Sequence, residues 1–217
     1  MQALKVQRLV ICDLDGTLID SRRALTDTVN TVRAHYNLPP LDIDTVTSYI
    51  GDGSKALIQR AFNGHDINID DAHDLMQTAY AEHTPSEQDL YPGVRTGLKN
   101  LSDAGVHLAI VTNKPQKATE NLLDKLSLAH FFQVIIGGSP AYPLKPDPAP
   151  LTAVIRQTGI SPANTWMIGD HHTDLEAGRR AEVNTCLAAY GFGTPGNEQP
   201  DMKVNSFPEF SGFICSS

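Results

Sequence analysis

The chain has 217 residues, of which 41% are hydrophobic and 19% are charged, and its formal net charge at pH 7 is −8. This composition predicts a globular protein with a buried core and excludes an intrinsically disordered chain. The excess of negative charge disfavours nucleic acid and anionic membranes as partners, so we expect neither. A chain of this length can act as a monomer or as a homodimer, and both states stay open.

The cysteine content indicates a reducing compartment. The three cysteines, Cys12, Cys186 and Cys215, are odd in number, and no two of them have the spacing of metal ligands. The first ten residues lack the apolar run of a signal peptide, and no stretch approaches the length needed to cross a bilayer. We therefore expect a soluble, cytoplasmic protein.

The first half of the chain predicts one strand followed by a helical block. Residues 9–12 are uniformly apolar and predict a buried strand. Residues 19–90 show helical patterns and no clear strand, with helices predicted at 24–35, 54–62 and 70–83. Turn-rich segments at 38–40 and 51–53 separate these helices.

Beyond residue 93, strands alternate with helical patterns. Further strands are predicted at 108–111, 134–136 and 166–168, where apolar runs without polar alternation are typical of a parallel sheet covered on both faces. We therefore predict an α/β fold in which residues 1–18 and 91–217 form the core. Residues 19–90 are predicted to form an inserted helical cap.

Two acidic residues follow the first strand, in the sequence Asp13-Leu14-Asp15-Gly16-Thr17. Residues two apart in an extended chain face the same way, so Asp13 and Asp15 are predicted to point together into the crevice at the carboxyl end of the sheet. Carboxylates this close need a proton or a cation between them. The competing interpretation is a polar turn, because Asp, Gly and Thr are common turn formers.

A second acidic pair, Asp170 and Asp174, lies where the strand at 166–168 gives way to a helix. Asp174 alone could merely stabilise the helix N-terminus, but Asp170 lies too close to the strand end for that role. Together with Asp13 and Asp15 it completes an all-oxygen cluster. Hard oxygen ligands suit Mg²⁺, which typically binds one or two carboxylates, water molecules and the phosphate of a substrate. We therefore predict Mg²⁺ as the cofactor.

Positive charge and neutral donors for a phosphate group are predicted at two further places. A lone lysine before a proline, such as Lys145, is usually a solvated loop residue. However, the acids and a phosphate need more positive charge than one Mg²⁺ supplies, so we assign Lys145 to the site as a point charge. Thr112 and Asn113 follow the strand at 108–111 and offer neutral donors for phosphate oxygens.

These motifs resemble those of the haloacid dehalogenase superfamily, in its phosphatase branch. The resemblance covers nearly the whole chain through four motifs in order, at 13–18, 112–115, 145–146 and 169–174. It implies a Rossmann-like three-layer core with a parallel sheet, and the helical block lies where this family inserts its cap. Further segments resemble bacterial phosphoglycolate phosphatases and imply 2-phosphoglycolate as the substrate: 51–53, 91–93, 113–115 and 190–193.

The resemblance also implies a role for each acidic residue. Asp13 would attack phosphorus and form a phospho-aspartyl intermediate, while Asp15 would serve as general acid and then as general base. The Mg²⁺ ligands would be the carboxylates of Asp13 and Asp170 and the backbone carbonyl of Asp15. Asp174 would orient Lys145 or a metal-bound water.

The cap is expected to contribute specificity. Its turn at Gly51-Asp52-Gly53 and the following Ser54 are predicted to contact the substrate beyond the phosphate, although an ordinary interhelical turn would look the same. Four cations are candidates for recognising a substrate carboxylate: Arg22, Arg23, Lys55 and Arg60. His171 and His172 point in different directions as neighbours in the chain, so we expect them not to share a metal ion.

Other activities stay open from the sequence. A phosphatase for another small metabolite or pyrophosphate would keep these acids, and so would a β-phosphoglucomutase-like sugar-phosphate mutase. A non-catalytic regulator that binds a phospho-ligand could keep the fold. Asp15 disfavours a dehalogenase, which lacks the second aspartate. The chain departs from the family pattern at Cys12, 171–172 and 181–183.

Overall fold

A computed structural model describes residues 7–216 and contains one six-stranded sheet in that range. The strands are β1, Leu9–Cys12; β2, His107–Pro115; β3, Val134–Gly138; β4, Thr165–Gly169; β5, Asn184–Ala188; and β6, Met202–Val204. Their order across the sheet is β3-β2-β1-β4-β5-β6, and every neighbouring pair is parallel. The predicted α/β fold with a parallel sheet is confirmed.

The described residues also form nine α-helices. These are α1, Arg22–His35; α2, Ile43–Thr47; α3, Ser54–Ala61; α4, Ile69–Glu82; α5, Val94–Asp103; α6, Gln116–Lys125; α7, Ala149–Thr158; α8, His172–Arg180; and α9, Phe207–Ser216. Short 3₁₀ turns occur at Glu87–Asp89, Ala129–Phe131 and Pro162–Asn164. Within residues 7–216, no helix has both the length and the apolar character that spanning a bilayer demands.

The side chains of the central strand alternate between the two faces of the sheet. Val10 and Cys12 pack into a core shared with α5, α6 and α9, whereas Leu9 and Ile11 pack into a second core with α7 and α8. Strands that are apolar on both sides must be covered on both sides. Helices therefore flank the sheet in three layers, with β1 at the centre.

Four elements were not predicted from the sequence, namely α2, β5, β6 and α9. Strand β5 reads Asn-Thr-Cys-Leu-Ala and β6 has only three residues, so neither carries a long apolar run. Strand β2 is longer than predicted, and Thr112 and Asn113 lie inside its carboxyl-terminal half instead of after its end. Both residues nevertheless remain on the side of the sheet where β1 and β4 end.

Helices α1 to α4 have a hydrophobic core of their own. Its buried members are Leu25, Val29, Val32, Val46, Leu57, Ile58, Ala61, Phe62, Ala72 and Met76. The two chain segments that join this unit to the sheet run side by side. The Asp20 amide donates to the Asp89 carbonyl at 2.8 Å, and the Tyr91 amide donates to the Leu18 carbonyl at 3.1 Å. The separate hydrophobic core and the paired linkers support domain boundaries between residues 18 and 19 and between residues 90 and 91. These boundaries stay a prediction.

Candidate active site

The carboxyl ends of β1 and β4 lie side by side and carry two of the predicted acids. Asp13 directly follows β1, and its amide donates to the carbonyl of Ile168 in β4 at 2.9 Å. Asp170 directly follows Gly169, the last residue of β4. Two residues that are 157 positions apart in the chain are thereby held next to each other by strand pairing.

Three buried acids and one buried lysine form the centre of the site. Asp13, Asp170 and Asp174 each offer an oxygen atom within 4.8 Å of the others. The Nζ atom of Lys145 lies 2.7 Å from Asp13 Oδ1, 2.6 Å from Asp174 Oδ1 and 2.7 Å from the carbonyl oxygen of Val111. We refer to these four residues as the acid cluster.

The acid cluster carries more negative charge than its lysine balances. Burial raises the pKa of Asp170 well above its usual range, and repulsion from Asp174 and Asp13 raises it further. Burial likewise raises the pKa of Asp13 to about 6, against the opposing pull of Lys145. A site of this kind fits a divalent cation, and its all-oxygen donor set fits Mg²⁺.

Backbone groups from a distant loop hold Asp170 in place. Its Oδ2 atom accepts hydrogen bonds from the amides of Gly193 at 2.6 Å and Phe192 at 3.1 Å. Gly16 and Gly191 approach so closely that a Cβ atom at either position would overlap the Asp170 side chain. No side-chain pattern could have predicted these contacts, because backbone groups make them.

Asp174 serves the acid cluster and a helix at the same time. Its Oδ1 atom contacts Lys145, and its Oδ2 atom accepts from the amide of His171, the N-terminal cap of α8, at 3.1 Å. The two interpretations of Asp174, helix cap and partner of Lys145, therefore describe the two oxygens of one carboxylate.

The side chain of Asn113 holds two loops in place. Its Oδ1 accepts from the Lys145 amide at 2.8 Å, and its Nδ2 donates to the carbonyls of Lys145 at 2.9 Å and Gly51 at 3.0 Å. Both of its N–H groups are thus engaged, so the predicted role of this side chain as a phosphate donor does not fit this arrangement. Thr112 Oγ1 accepts from the Lys114 amide at 3.3 Å, and a hydroxyl that accepts can still donate.

A second buried lysine, Lys114, was not singled out from the sequence. Its Nζ atom lies 3.1 Å from both carboxylate oxygens of Asp15 and 4.2 Å from the centre of the Tyr80 ring. Thr112 and Lys114 are two apart in β2, and residues two apart face the same side of a strand. The alternation rule that paired Asp13 with Asp15 would therefore have found Lys114 as well.

A cavity of about 540 Å³ lies between the sheet and the cap and includes the acid cluster. From the core it is lined by Asp13, Asp15, Thr112, Asn113, Lys114, Lys145, Asp170 and Asp174, and from the cap by Leu25, Ile50, Gly51, Gly53, Ser54, Leu57, Met76 and Tyr80, among others. The predicted site residues of the core therefore face one space, and three of the four predicted cap residues border it.

The fourth predicted cap residue, Asp52, points elsewhere. Its carboxylate forms an ion pair with Arg60, and a carboxylate oxygen also lies within 4.8 Å of ring nitrogens of His171 and His172. Burial and the nearby His172 lower the pKa of His171 to about 4. The expectation that these two histidines do not share a metal ion stays a prediction.

The four cap cations proposed to recognise a substrate carboxylate are engaged outside the cavity. Arg22 pairs with Asp20 at 2.6 Å and Lys55 with Asp70 at 2.7 Å, while Arg60 pairs with Asp52. The fourth, Arg23, is 91% exposed, and its Nε atom lies 4.0 Å from Asp27 Oδ2. Because none of them lines the cavity, this arrangement does not support that hypothesis.

Comparison with known sequences gives a consistent family. A family model for haloacid dehalogenase-like hydrolases matches residues 10–188. A protein from Pseudomonas aeruginosa named phosphoglycolate phosphatase 1 is 38% identical over 215 residues, covering 94% of this chain and 78% of its own. A phosphoglycolate phosphatase from Psychrobacter arcticus is 35% identical, covering 96% of this chain and 94% of its own.

Solved structures share the same fold over nearly the whole chain. A protein from Haemophilus somnus, described as a predicted phosphoglycolate phosphatase, has a TM-score of 0.90 at 27% identity and covers 97% of this chain and 99% of its own. CbbY from Rhodobacter sphaeroides, solved with phosphate, has a TM-score of 0.80 at 20% identity, covers 94% of this chain and 96% of its own, and shows the fold alone. With the family model matching most of its length, this chain belongs to the haloacid dehalogenase-like hydrolase family.

Proposed function

We propose that this protein is a Mg²⁺-dependent phosphomonoester hydrolase that acts through a phospho-aspartyl intermediate, with 2-phosphoglycolate as its substrate. The observation that carries the proposal is the acid cluster, in which buried Asp13 touches Lys145 and shares a possible cation position with Asp170. The names of the relatives at 34–38% identity support the same activity and suggest the substrate.

The carboxylates of Asp13 and Asp170 and the backbone carbonyl of Asp15 would hold Mg²⁺. When bound, Mg²⁺ offsets the charge of the acids and the phosphate and stabilises the negative charge of the transition state. The surplus of buried carboxylates over lysine supports this assignment, because an unbalanced buried charge is costly without a cation.

Asp13 is the proposed nucleophile in the first step. One of its carboxylate oxygens bonds to phosphorus while the bond between phosphorus and the ester oxygen breaks. Asp15, two residues further on and facing the same cavity, gives its proton to the leaving alkoxide. The products of this step are a free alcohol and an acyl phosphate on Asp13.

Water completes the reaction in the second step. Asp15, now a carboxylate, takes a proton from a water molecule whose oxygen attacks phosphorus. The bond between phosphorus and Asp13 breaks, so inorganic phosphate leaves and the Asp13 carboxylate is restored. One residue thus acts as acid and then as base, which requires that its carboxyl group keep a fixed place beside the phosphate.

Lys145 and Thr112 are the proposed phosphate ligands, and Asp174 positions Lys145. A buried ammonium that already touches Asp13 is in reach of a group bound to that residue. The cap turn at residues 51–54 would close over the rest of the substrate, in keeping with its place at the cavity.

We further propose that the protein works in the cytoplasm, as a monomer or homodimer, without nucleic acid or membrane partners. The net charge of −8 and the free state of Cys12, Cys186 and Cys215 support this setting.

The test is phosphate release from a panel of small phosphate esters, with 2-phosphoglycolate, a sugar monophosphate and pyrophosphate included, in Mg²⁺ and in EDTA. We expect Mg²⁺-dependent release that is fastest with 2-phosphoglycolate. Fastest phosphate release from another ester would change the assigned substrate but leave the proposed reaction in place. Isomerised sugar phosphate without free phosphate would indicate a mutase, and no turnover of any ester by folded protein would contradict the proposal.

A further inference from the structure

Lys114 lies at a point where the core, the cap and the proposed acid–base residue meet. Its side chain is only 4% exposed, and its Nζ atom contacts both carboxylate oxygens of Asp15 at 3.1 Å. On its other side, the ring of Tyr80 from cap helix α4 lies 4.2 Å away. One ammonium group therefore bridges a core carboxylate and a cap aromatic ring.

The surroundings of Lys114 suit an ammonium group, because its Nζ atom pairs with the Asp15 carboxylate and faces the Tyr80 ring. An ammonium over an aromatic face is attracted to the ring, and the attraction grows when water is excluded. The side chain of Asp15 is itself only 14% exposed, so the ion pair lies in a place of low water content.

The contacts of Lys114 differ from those of Lys145. Lys145 joins Asp13 to Asp174 inside the acid cluster, where the phosphate is expected. Lys114 instead contacts both oxygens of a single carboxylate, that of Asp15. Contact with both oxygens fixes the direction of the carboxyl group, which a contact with one oxygen would leave free to rotate.

The position of Tyr80 depends on how the cap is seated. Tyr80 lies in the last turn of α4, and the Nζ atom of Lys125 in core helix α6 donates to the carbonyls of Ala81 at 3.2 Å and His83 at 2.7 Å. This end of α4 therefore rests on the core. If the cap lifts, the Tyr80 ring moves away from Lys114 and water gains access to the ion pair.

We propose that Lys114 is a positioning residue that directs the carboxyl group of Asp15 toward the leaving group and the attacking water, and that the ring of Tyr80 makes this arrangement depend on the seated cap. In the first step the proton of Asp15 is on the oxygen that faces the leaving group, while the other oxygen accepts from Lys114. After the proton has left, both oxygens accept from Lys114, as in the structure. This inference rests on the phospho-aspartyl mechanism proposed above. It assigns Lys114 to the proton-transfer steps and not to phosphate binding.

The test compares two leaving groups in wild type, Lys114→Met and the control Lys99→Met. An alkyl ester such as 2-phosphoglycolate needs a proton on its leaving oxygen, whereas p-nitrophenyl phosphate releases a weakly basic phenolate that does not. Lys99 is an exposed lysine paired with Asp103 and lies outside the cavity. Thermal melts verify that each variant is folded.

For Lys114→Met we expect turnover of the alkyl ester to fall by about 100-fold, the range in which general acid–base catalysis contributes. With p-nitrophenyl phosphate we expect a burst of about one nitrophenol per active site, followed by slow turnover, because only the second step still needs the base. The phosphorylated enzyme should accumulate during that slow phase. Lys99→Met should match wild type with both esters.

The contrary outcomes are distinct. If Lys114→Met loses the nitrophenol burst as well as turnover, Lys114 is a phosphate ligand and the inference is overturned. The same holds if its KM rises for both esters while kcat is unchanged. Unchanged turnover would overturn it as well. Failure of wild-type protein to turn over either ester in Mg²⁺ would instead contradict the proposed function.

A pair of variants at Tyr80 tests the link to the cap, and it decides the matter if Lys114→Met does not fold. Tyr80→Phe keeps the ring and is expected to stay within about 2-fold of wild type on the alkyl ester, whereas Tyr80→Leu removes the ring face and should lose about 10-fold in kcat. The loss in Tyr80→Leu should be smaller with p-nitrophenyl phosphate. Equal kcat in the two variants, or equal losses on the two esters, would overturn the role assigned to the ring.

Discussion

Lys145 and Lys114 line the same cavity and are both buried, but the charges around them are balanced differently. Lys145 touches Asp13 and Asp174 and has Asp170 nearby, so carboxylates outnumber the lysine. Lys114 touches one carboxylate, that of Asp15, and the neutral side chain of Tyr80 lies on its other side. A surplus of carboxylates is suited to taking up a cation and a phosphate, whereas a matched pair is suited to fixing one group in place.

The largest expected effect comes from replacing the proposed nucleophile. Asp13→Asn keeps the shape of the side chain and an oxygen for Lys145 but removes the nucleophile, so we expect turnover to fall by about 10,000-fold or more. Phosphate release at saturating Mg²⁺ measures the loss. Asp27→Asn, at a side chain that is 74% exposed on the cap, is the control and should behave as wild type. Turnover of Asp13→Asn within about 10-fold of wild type would rule out the assigned nucleophile.

Removing the lysine of the acid cluster should destabilise the metal-free protein. Lys145→Met leaves Asp13 and Asp174 buried without their partner, so we expect the free energy of unfolding of metal-free protein to fall by about 3 kcal/mol. The matched control Lys99→Met breaks an exposed pair with Asp103 and should cost less than about 1 kcal/mol. Urea unfolding measures both values. Similar losses in the two variants would show that burial does not matter for the Lys145 contacts.

The packing around Asp170 can be tested with two glycines that have similar φ angles. Gly16 has φ of +86° and Gly105 has φ of +77°, but an added Cβ atom would overlap Asp170 only at Gly16 and would meet nothing within 4 Å at Gly105. Gly105→Ala is expected to cost about 1 kcal/mol from the left-handed backbone alone. Gly16→Ala should cost about 2 kcal/mol more from overpacking.

The same two variants separate stability from metal binding. Added Mg²⁺ should raise the Tm of Gly105→Ala as it does that of wild type, while Gly16→Ala should lose most of that response because Asp170 is displaced. Equal unfolding free energies for the two variants would refute the close approach of Gly16 to Asp170.

The smallest expected effect is a gain in stability. Burial and the neighbouring acids raise the pKa of Asp170, so its ionised form is unfavourable in the folded, metal-free protein. Asp170→Asn should therefore raise the Tm in EDTA at neutral pH by roughly 3 °C, corresponding to about 1 kcal/mol. It should also abolish the rise in Tm that Mg²⁺ causes in wild type. A lower Tm in EDTA would contradict the surplus of negative charge.

The surplus of negative charge in the acid cluster also predicts how the stability of the fold changes with pH. A carboxyl group with a raised pKa in the fold contributes stability that is present below its unfolded pKa and is lost as pH rises through its folded pKa. For Asp13 this window runs from 3.8 to about 6. As the pH rises through this window, wild type in EDTA should therefore lose stability relative to Asp13→Asn. Urea unfolding at several pH values measures this difference. No change across it would contradict the raised pKa.

The comparison of the two lysines also shows how far sequence reasoning reaches. The α/β fold and the apolar strands β1 to β4 could be predicted because uniformly apolar runs identify strands buried on both faces. The acids at 13, 15 and 170 could be selected because they follow such strands. Strand β6 has only three residues and β5 begins with the polar Asn184 and Thr185, so no comparable pattern marked them.

Other parts of the site depend on distant contacts that a local pattern does not contain. The amides of Phe192 and Gly193 reach Asp170 from more than twenty positions away, and backbone donors have no residue type that identifies them. Asn113 belongs to a motif that favours phosphate binding, yet its side chain joins two loops. The pairing of Lys114 with Tyr80 requires knowing how the cap lies on the core.

The most direct test of the account is to trap the phosphorylated enzyme. Wild type, Asp13→Asn and Asp15→Asn would be mixed with p-nitrophenyl phosphate and Mg²⁺, quenched in acid and mapped by peptide mass spectrometry. We predict one phosphoryl group on Asp13, with the highest occupancy in Asp15→Asn because the base for the second step is missing, and none in Asp13→Asn. Turnover by wild type with no phosphorylated peptide in either wild type or Asp15→Asn, or a phosphoryl group on another residue, would contradict it.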